Sequence, residues 1–461
     1  MRGRNTVIRA FTFVVPLLIP FLWYWVYATS RNAHLERNGT ITDPYLKVGL
    51  PIIAFLLVIS ISTFLSFDNQ QKIQKYVKGL RISTSAPVVT TLILVVLPYL
   101  LAAKQFTYIA DLYYKSFRVS NLAPVFADIR TILYGISCDA VNEVGDTITC
   151  DPRNSQTLWN YPTFLLSFRS FGLGIDNLKF ITSLAIVIFS IAIFLHSRIL
   201  NQGSRLLFMV LLISPPVLLA FQRMNFDFII ISLLVIGSKL VSTRRPTVIN
   251  DFIGVLCFAS ATLLKFYSFP ALLILSFYLY RRKISFYASV FVNLTTIFLV
   301  YRDLNNLASY VGRDLRGALG FPVLIGLLNG NDDAQLSVGT VGFFLALASV
   351  CTYIVLNFMH SESLEIRQHR HILPASLASA FLLPWITTSN YYYRSIILVF
   401  LIPFLLIRTH SPQMIFISMT ASASLFLSPV VFAIVLNLLL IPLVSLLILI
   451  LLNTLSAKRA P

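Results

Sequence analysis

Three cationic side chains in this sequence stand beside amide, carboxyl or hydroxyl groups at the ends of apolar runs. They are Arg223 with Asn225 and Asp227, Lys265 with Tyr267, and Arg394 with Tyr393. Guanidinium and ammonium groups bind phosphate oxygens, the guanidinium through parallel donors. Amide and carboxylate groups can hydrogen-bond the hydroxyls of a sugar. The three cations therefore predict a site for a phosphate group with polar neighbours suited to a sugar.

A polar stretch over residues 104–176 supplies a carboxylate that could act as a general base. It is the longest interruption of an otherwise apolar sequence, and it contains Asp128 followed by Arg130. A carboxylate within reach of an acceptor hydroxyl can remove the proton while that oxygen attacks a carbon atom. Asp128 is the first candidate for this role. The alternative carboxylates are Asp111 and, more remotely, Asp303 and Asp314.

The same polar stretch shows two segments with aromatic residues at helical spacing. They cover Phe106–Tyr114 and Pro162–Leu173. Both resemble amphipathic helices that lie in the membrane interface, although packed loop helices without substrate contact explain the pattern equally well. Asn160 and Tyr161 precede the second segment and are candidates for contact with an acceptor.

Structural roles compete with these functional interpretations. Asn225 is a preferred residue for capping the helix that follows it. Asp227 would lie in the first turn of that helix, where a negative charge is favourable. Lys265 could extend its ammonium group to the membrane surface, and Tyr393 could belong to an interfacial aromatic belt.

The composition identifies the chain as a polytopic membrane protein. Of its residues, 57% are hydrophobic and 12% are charged, and the mean hydropathy is +0.80. Soluble domains carry about 25% charged residues. The net charge of +18 follows from basic residues in short loops, as the positive-inside rule requires, rather than from binding to nucleic acid.

The fold class predicted from the apolar runs is all-α, a bundle of about 12–14 transmembrane helices with a large extracytoplasmic loop. The predicted spans are 10–28, 46–66, 86–103, 177–196, 205–221, 226–241, 249–265, 267–281, 285–301, 338–357, 372–388, 395–408, 411–427 and 429–452. Pro215-Pro216 breaks the span over 205–221. With this count the basic clusters share one side, which predicts cytoplasmic termini and an extracytoplasmic loop over 104–176.

The cysteines separate into two kinds. Cys257 and Cys351 fall in apolar runs and behave as small hydrophobic residues. Cys138 and Cys150 share the polar loop and could form a disulfide if that loop faces an oxidising compartment. The cysteine and histidine spacing does not fit a zinc site. The sequence predicts no metal or other cofactor, and a divalent cation stays open.

The order of the motifs resembles a known family. Pro215-Pro216, then Phe221–Asp227, then Leu264–Tyr267 are similar to the polyprenyl-phosphate-sugar glycosyltransferases of the GT-C superfamily, and most similar to glycosyltransferase family 87, which includes mannosyl- and arabinofuranosyltransferases. The resemblance implies that Asp128 is the catalytic base and that Arg130 belongs to the family's outer-face loop. It also implies that Asn160-Tyr161 forms an exit element and that Tyr393-Arg394 belongs to a late site element.

Two residues depart from the family pattern. Met224 stands where glycine is usual, and Ser268 stands where proline is usual. The resemblance also divides the chain into an N-terminal two-helix addition over 1–85, a catalytic core over 86–410, and C-terminal membrane helices over 411–461. These departures bear on the identity of the sugar more than on the reaction.

The expected function is an inverting glycosyl transfer on the extracytoplasmic face of the cell membrane. A polyprenyl-phosphate-linked sugar would be the donor, and an envelope glycan or glycolipid would be the acceptor. Two alternatives stay open, a lipid-linked oligosaccharide flippase or transporter without chemistry and a polysaccharide polymerase. The sequence shows neither internal repeats nor several midspan charges, which an inverted-repeat transporter would be expected to have.

Overall fold

The computed structural model describes residues 82–93, 126–152, 159, 161–243, 245–310, 318–319, 372–387 and 390–405, with scattered residues between 418 and 447. These parts of the chain are mostly helical. The α-helices are α1 (Ala86–Thr91), α2 (Ala127–Ser137), α3 (Leu178–Ser197), α4 (Gln202–Leu212), α5 (Pro215–Arg223), α6 (Asp227–Val241), α7 (Val248–Leu264), α8 (Phe269–Leu279), α9 (Lys283–Tyr310), α10 (Ile372–Thr387) and α11 (Ile396–Leu405).

Short elements connect or flank these helices. The 3-10 helices are Thr163–Phe171, Ile175–Asn177, Phe266–Ser268 and Tyr392–Ser395. Two strands of two residues each, β1 (Ala318–Leu319) and β2 (Asn390–Tyr391), pair antiparallel, with Ala318 opposite Tyr391. This pairing fixes the backbone just ahead of the 3-10 helix that carries Arg394.

A few of the described helices are long and apolar enough to cross a membrane. Ile175–Ser197 and Lys283–Tyr301 meet this condition singly. The pair α4 and α5 meets it together, with a bend of 52° between them. Membrane association is therefore supported, while the predicted number of spans stays a prediction because many of them lie outside the described residues.

The bend between α4 and α5 has a local cause. Pro215 and Pro216 occupy the first turn of α5, where the missing N–H group costs nothing because that turn has no carbonyl partner. The same residues cannot continue α4. The break that the sequence predicts at this proline pair is therefore confirmed, and it directs the end of α5 towards the start of α6.

Helix α6 lies at the centre of the described bundle and packs against α3 and α7. Close approach of α6 and α7 depends on Gly237 and Gly254. A Cβ atom on Gly254 would lie 2.4 Å from Val241 Cγ2, and one on Gly237 would lie 2.9 Å from Phe258 Cδ2. Because α6 and α7 follow each other with opposite directions, the first residue of α6 and the residue after α7 come to the same end of the bundle.

Within the polar loop, the 3-10 helix Thr163–Phe171 packs against α2. Arg169 donates to the carbonyl oxygens of Ile136 at 2.7 Å and Cys138 at 2.5 Å, which caps the end of α2. The segment predicted as an interfacial helix over Pro162–Leu173 is a 3-10 helix whose Phe171 side chain is 81% exposed. The companion segment Phe106–Tyr114 lies outside the described residues.

The helix that contains the predicted span over 285–301 extends beyond that span. The end of the span agrees with the apolar segment Lys283–Tyr301, but the loop predicted from residue 302 begins with helical residues, because α9 continues to Tyr310. The first glycine or proline after Lys283 is Gly312, so nothing in the backbone ends the helix at the end of its apolar part. Charged and amide residues therefore extend α9 instead of beginning a loop.

Candidate functional site

An ion pair between Asp128 and Arg223 joins the polar loop to the helical bundle. Arg223 Nη2 lies 2.6 Å from Asp128 Oδ1, and Arg223 Nε donates to the same oxygen at 2.8 Å. Asp128 lies in the first turn of α2 and is buried. Arg223 is the last residue of α5 and is about one-third exposed, since its side chain retains 33% of its accessible surface. The pair closes the polar loop onto α5.

Asn225 links this ion pair to the next helix. Its Nδ2 atom donates to Asp128 Oδ2. Its Oδ1 atom accepts from Lys265 Nζ at 2.6 Å and from the backbone N–H of Asp227 at 3.0 Å. Asn225 therefore has a structural role in the turn before α6, whereas its contact with a donor sugar stays a prediction. The side chain supports the turn before α6, and it also connects a carboxylate with an ammonium group.

Asp227 and Lys265 form a second, more deeply buried ion pair. Lys265 Nζ lies 2.9 Å from Asp227 Oδ1, and Tyr267 donates its hydroxyl to the same oxygen at 2.8 Å. The Asp227 side chain has no exposed surface, and that of Lys265 retains 13%. Lys265 thus bonds inside the protein and does not extend to the surface. Asp227 Oδ2 is buried and has no hydrogen-bond partner in the part of the chain that the structure describes.

Arg394 adds a third cation to this cluster. Its guanidinium carbon lies 5.4 Å from the centre of the Tyr267 ring, within the range of a cation–π interaction. The 3-10 helix that carries Arg394 packs against α5, which carries Arg223. The cations predicted from three separate apolar boundaries therefore meet at one end of the bundle. We call Asp128, Arg223, Asn225, Asp227, Lys265, Tyr267 and Arg394 the polar cluster.

Tyr161 borders the polar cluster from the loop. Its ring lies 5.5 Å from that of Trp159 and 6.2 Å from that of Phe226, centre to centre. Burial raises the pKa of the Tyr161 hydroxyl, and the nearby Asp128 carboxylate raises it further. The hydroxyl therefore stays protonated and can donate a hydrogen bond at neutral pH.

The remaining predicted site residues have different outcomes. Arg130 lies on α2 and is half-buried. Asn160, Asp111 and Asp314 lie outside the described residues, and so does the side chain of Tyr393. Asp303 accepts from the backbone N–H of Thr163 at 2.8 Å and from its hydroxyl at 2.9 Å, so it holds the start of a loop helix.

Two residues beside the cluster have left-handed backbone conformations. Phe126, just before α2, has φ 64°, and Met224, just after α5, has φ 46°. The N–H of Phe126 donates to the carbonyl of Gln222 at 2.9 Å, so the two turns are joined directly. A bulky residue in this region is strained. A glycine at position 224 would adopt this conformation without strain, where this chain has methionine.

The two loop cysteines are adjacent in the structure. The backbone N–H of Cys150 donates to Cys138 Sγ at 3.3 Å, and both residues are free thiols. The exposed Cys150 thiol also donates to the backbone carbonyl of Tyr134 at 3.3 Å. The disulfide stays a prediction, which the proximity of the two residues allows.

The polar cluster can bind an anion and can hold a proton acceptor beside it. Within the described residues, no group of three or more histidine, cysteine, aspartate or glutamate side chains is placed to hold a metal ion. No protein-family model matches the chain, and neither the curated proteins nor the solved structures contain a match to it.

Proposed function

We propose that this protein is a membrane glycosyltransferase that takes a sugar from a polyprenyl-phosphate donor and transfers it, with inversion, to an envelope glycan or glycolipid. One observation carries the proposal. Side chains from α2, α5, the start of α6, the turn after α7 and the 3-10 helix before α11 form one largely buried polar cluster at one end of the bundle.

The charge of the cluster suits a phosphate. Its three cations, Arg223, Lys265 and Arg394, exceed its two carboxylates, Asp128 and Asp227, by one positive charge. A buried group of this kind stabilises the negative charge that develops on a departing phosphate. A polyprenyl phosphate presents such a group at the depth of the membrane surface, while its chain stays in the bilayer.

The proposed reaction uses Asp128 as a general base. The acceptor hydroxyl oxygen forms a bond with the anomeric carbon, and its proton passes to Asp128. The bond between that carbon and the phosphate oxygen breaks, and its electron pair leaves on the polyprenyl phosphate. Attack from the face opposite the leaving group inverts the anomeric carbon.

The resting contacts of Asp128 suggest how the base becomes available. Both of its oxygens accept hydrogen bonds, from Arg223 and Asn225. A bound phosphate competes for the donors of Arg223, because a guanidinium group pairs equally well with carboxylate and phosphate. Transfer of Arg223 to the donor phosphate would free one oxygen of Asp128 for the acceptor proton.

The ends of the helices support an extracytoplasmic location for the cluster. Asp227 begins α6, whereas Lys239 lies near its end. Arg198 follows α3 and Arg281 precedes α9, at the same end as Lys239. By the positive-inside rule, the end with these basic residues is cytoplasmic and the end with the cluster is not. The location of both termini in the cytoplasm belongs to the same proposal.

The test uses the purified full-length protein in proteoliposomes that contain labelled polyprenyl-phosphate sugars and a crude glycolipid acceptor fraction. We expect a product whose mass exceeds that of the acceptor by one sugar residue. Movement of the labelled lipid between leaflets without a new glycosidic bond would contradict the proposal and favour a flippase.

A further inference from the structure

A second polar site lies at the opposite end of α6 from the polar cluster. Its pocket is formed where α3, α6, α10 and α11 meet. The lining residues are Leu195, His196, Ile199, Val235, Ser238, Lys239, Ser242, Leu373 and Phe404. Along α6, Ser238 is separated from Asp227 by about 16 Å of helix rise. The pocket therefore belongs to a different region of the protein.

Three side chains whose polar atoms are buried line this pocket without hydrogen-bond partners among the described residues. They are His196, whose two ring nitrogens are unpaired, and Ser238 and Ser242, whose hydroxyls are unpaired. His196 lies between the rings of Phe208 and Phe400, at 4.9 Å and 5.1 Å. The backbone of Phe400 also lies close to the His196 ring. This contact does not have the geometry of a hydrogen bond. Several buried polar groups without hydrogen bonds are unfavourable, so we expect a ligand or water to bind in the pocket.

The two serines differ from other buried hydroxyl residues of the neighbouring helices. Ser232 donates to the carbonyl of Phe228 at 2.6 Å, and Thr262 donates to that of Phe258 at 3.0 Å. A hydrogen bond to the carbonyl group of the preceding turn is the usual way in which a hydroxyl group within a helix finds an acceptor. Ser238 and Ser242 do not make it, and their hydroxyls remain available to the pocket.

The charges around the pocket favour an oxyanion over a cation. Lys239 is exposed beside the pocket. The carbonyl groups at the ends of α3 and α6 would attract a cation, but arginine side chains already donate hydrogen bonds to several of them. Arg205 donates to Ser197 at 3.2 Å and to Leu200 at 3.0 Å, and Arg282 donates to Val241 at 3.2 Å. What remains are two hydroxyls and an imidazole, each of which can donate a hydrogen bond, beside one ammonium group.

We propose that this pocket binds a phosphate oxyanion, with Ser238, Ser242 and His196 donating hydrogen bonds and Lys239 contributing its charge. The phosphate comes either from the headgroup of an anionic lipid or from the free ion. The apolar side chains of Leu195, Ile199 and Phe404 could accommodate the start of a lipid chain. This site is independent of the function proposed for the polar cluster.

The test measures binding by calorimetry with the full-length protein in detergent. Three probes separate the sources, namely dioctanoyl phosphatidic acid, dioctanoylglycerol and inorganic phosphate. We expect saturable binding of phosphatidic acid and none of dioctanoylglycerol, which lacks the phosphate. Binding of inorganic phosphate with similar affinity would identify the free ion as the ligand and would also support the site.

Substitutions assign the binding to this pocket. The double variant Ser238→Ala/Ser242→Ala should weaken phosphatidic acid binding at least tenfold, and Lys239→Met should weaken it without altering the buried residues. Ser232→Ala is the matched control on the same helix and should leave the affinity unchanged. Equal binding of both lipids, no binding of any probe, or unchanged affinity in the double variant and in Lys239→Met would overturn the proposal and leave a pocket that holds only water.

Discussion

Asp128 and Arg223 are separated by 95 positions in the sequence, yet Arg223 Nε donates to Asp128 Oδ1 at 2.8 Å and Arg223 Nη2 lies 2.6 Å from the same oxygen. This ion pair joins the polar loop to the broken helix pair α4 and α5. It therefore couples Asp128, the proposed base, to Arg223, which is proposed to bind the phosphate. If either side chain takes another partner, the other loses this contact.

The geometry of this pair predicts that lysine cannot replace Arg223. A lysine keeps the charge but offers a single point of contact in place of the guanidinium fork. We expect Arg223→Lys to lower sugar transfer by about tenfold or more, since loss of one well-placed interaction of this strength corresponds to about 1.4 kcal/mol. The measurement is the initial rate of glycolipid formation in proteoliposomes. The control is Arg198→Lys, which changes an exposed residue just after α3, at the end of the bundle away from the polar cluster, and should retain the wild-type rate. Equal rates for Arg223→Lys and Arg198→Lys would contradict the role of the Arg223 guanidinium group.

The ion pair of Asp227 and Lys265 predicts a strong effect on stability. In Lys265→Met, the fully buried carboxylate of Asp227 loses its charged partner. Removing one member of a buried pair typically costs about 3–5 kcal/mol. Denaturant unfolding in detergent should show a loss of this size. The double variant Lys265→Met/Asp227→Asn should regain part of the lost stability, and a double variant that is no more stable than Lys265→Met would argue against the pairing.

The strained turn at Met224 predicts a reversal of the usual order of alanine and glycine. Within ordinary helix or strand, glycine is less stable than alanine by about 0.5–1 kcal/mol. At φ 46° a side chain is strained, and glycine is not. Met224→Gly should therefore unfold at higher denaturant concentration than Met224→Ala, although both variants lose the buried methionine side chain. The opposite order would mean that residue 224 does not adopt a left-handed conformation.

The sequence predicts the members of the polar cluster better than their mutual bonds. Arg223, Lys265 and Arg394 stand at apolar boundaries, so the alternating direction of successive spans alone brings them to one end of the bundle. The pairing of Asp128 with Arg223 depends on the course of a long loop, which no local pattern determines. The continuation of α9 past residue 301 was missed because hydropathy marks where a membrane could end, whereas backbone propensity decides where a helix ends.

The second pocket was also missed, for a related reason. His196, Ser238 and Ser242 are single polar residues within apolar helices, and such residues usually satisfy themselves within their own helix. Only the structure shows that these side chains come from two helices and that their hydrogen-bonding groups are unpaired. Ser238 on α6 and Ser242 just after it stand at i, i+4 spacing, which is the one signal that the sequence alone offers.

The packing of the loop against α2 predicts a cost for any side chain at Gly135. A Cβ atom there would lie 2.3 Å from Trp159 Cε3. We expect Gly135→Ala to destabilise the protein by about 1–3 kcal/mol through overpacking. Unfolding monitored by far-UV circular dichroism measures the change. In a Trp159→Leu background the same substitution should cost less, and an equal cost would show that Trp159 does not cause the clash.

The proximity of Cys138 and Cys150 predicts a disulfide under oxidising conditions. Mild oxidation of the purified protein should link the two residues in one peptide after proteolysis, as detected by mass spectrometry. Cys150→Ser should abolish this linked peptide, whereas Cys257→Ser should leave it intact because Cys257 lies on α7. A linked peptide that contains Cys257 instead would mean that the loop does not adopt this arrangement.

The account depends most on the role of Asp128 as the proton acceptor. The measurement that tests this role compares Asp128→Asn with the wild type for donor binding and for sugar transfer in the same proteoliposomes. Asparagine keeps the size of the side chain and can still accept a hydrogen bond from Arg223. The account predicts that the variant binds the polyprenyl-phosphate sugar but transfers it about 10²–10⁴ times more slowly. Transfer at close to the wild-type rate would contradict it.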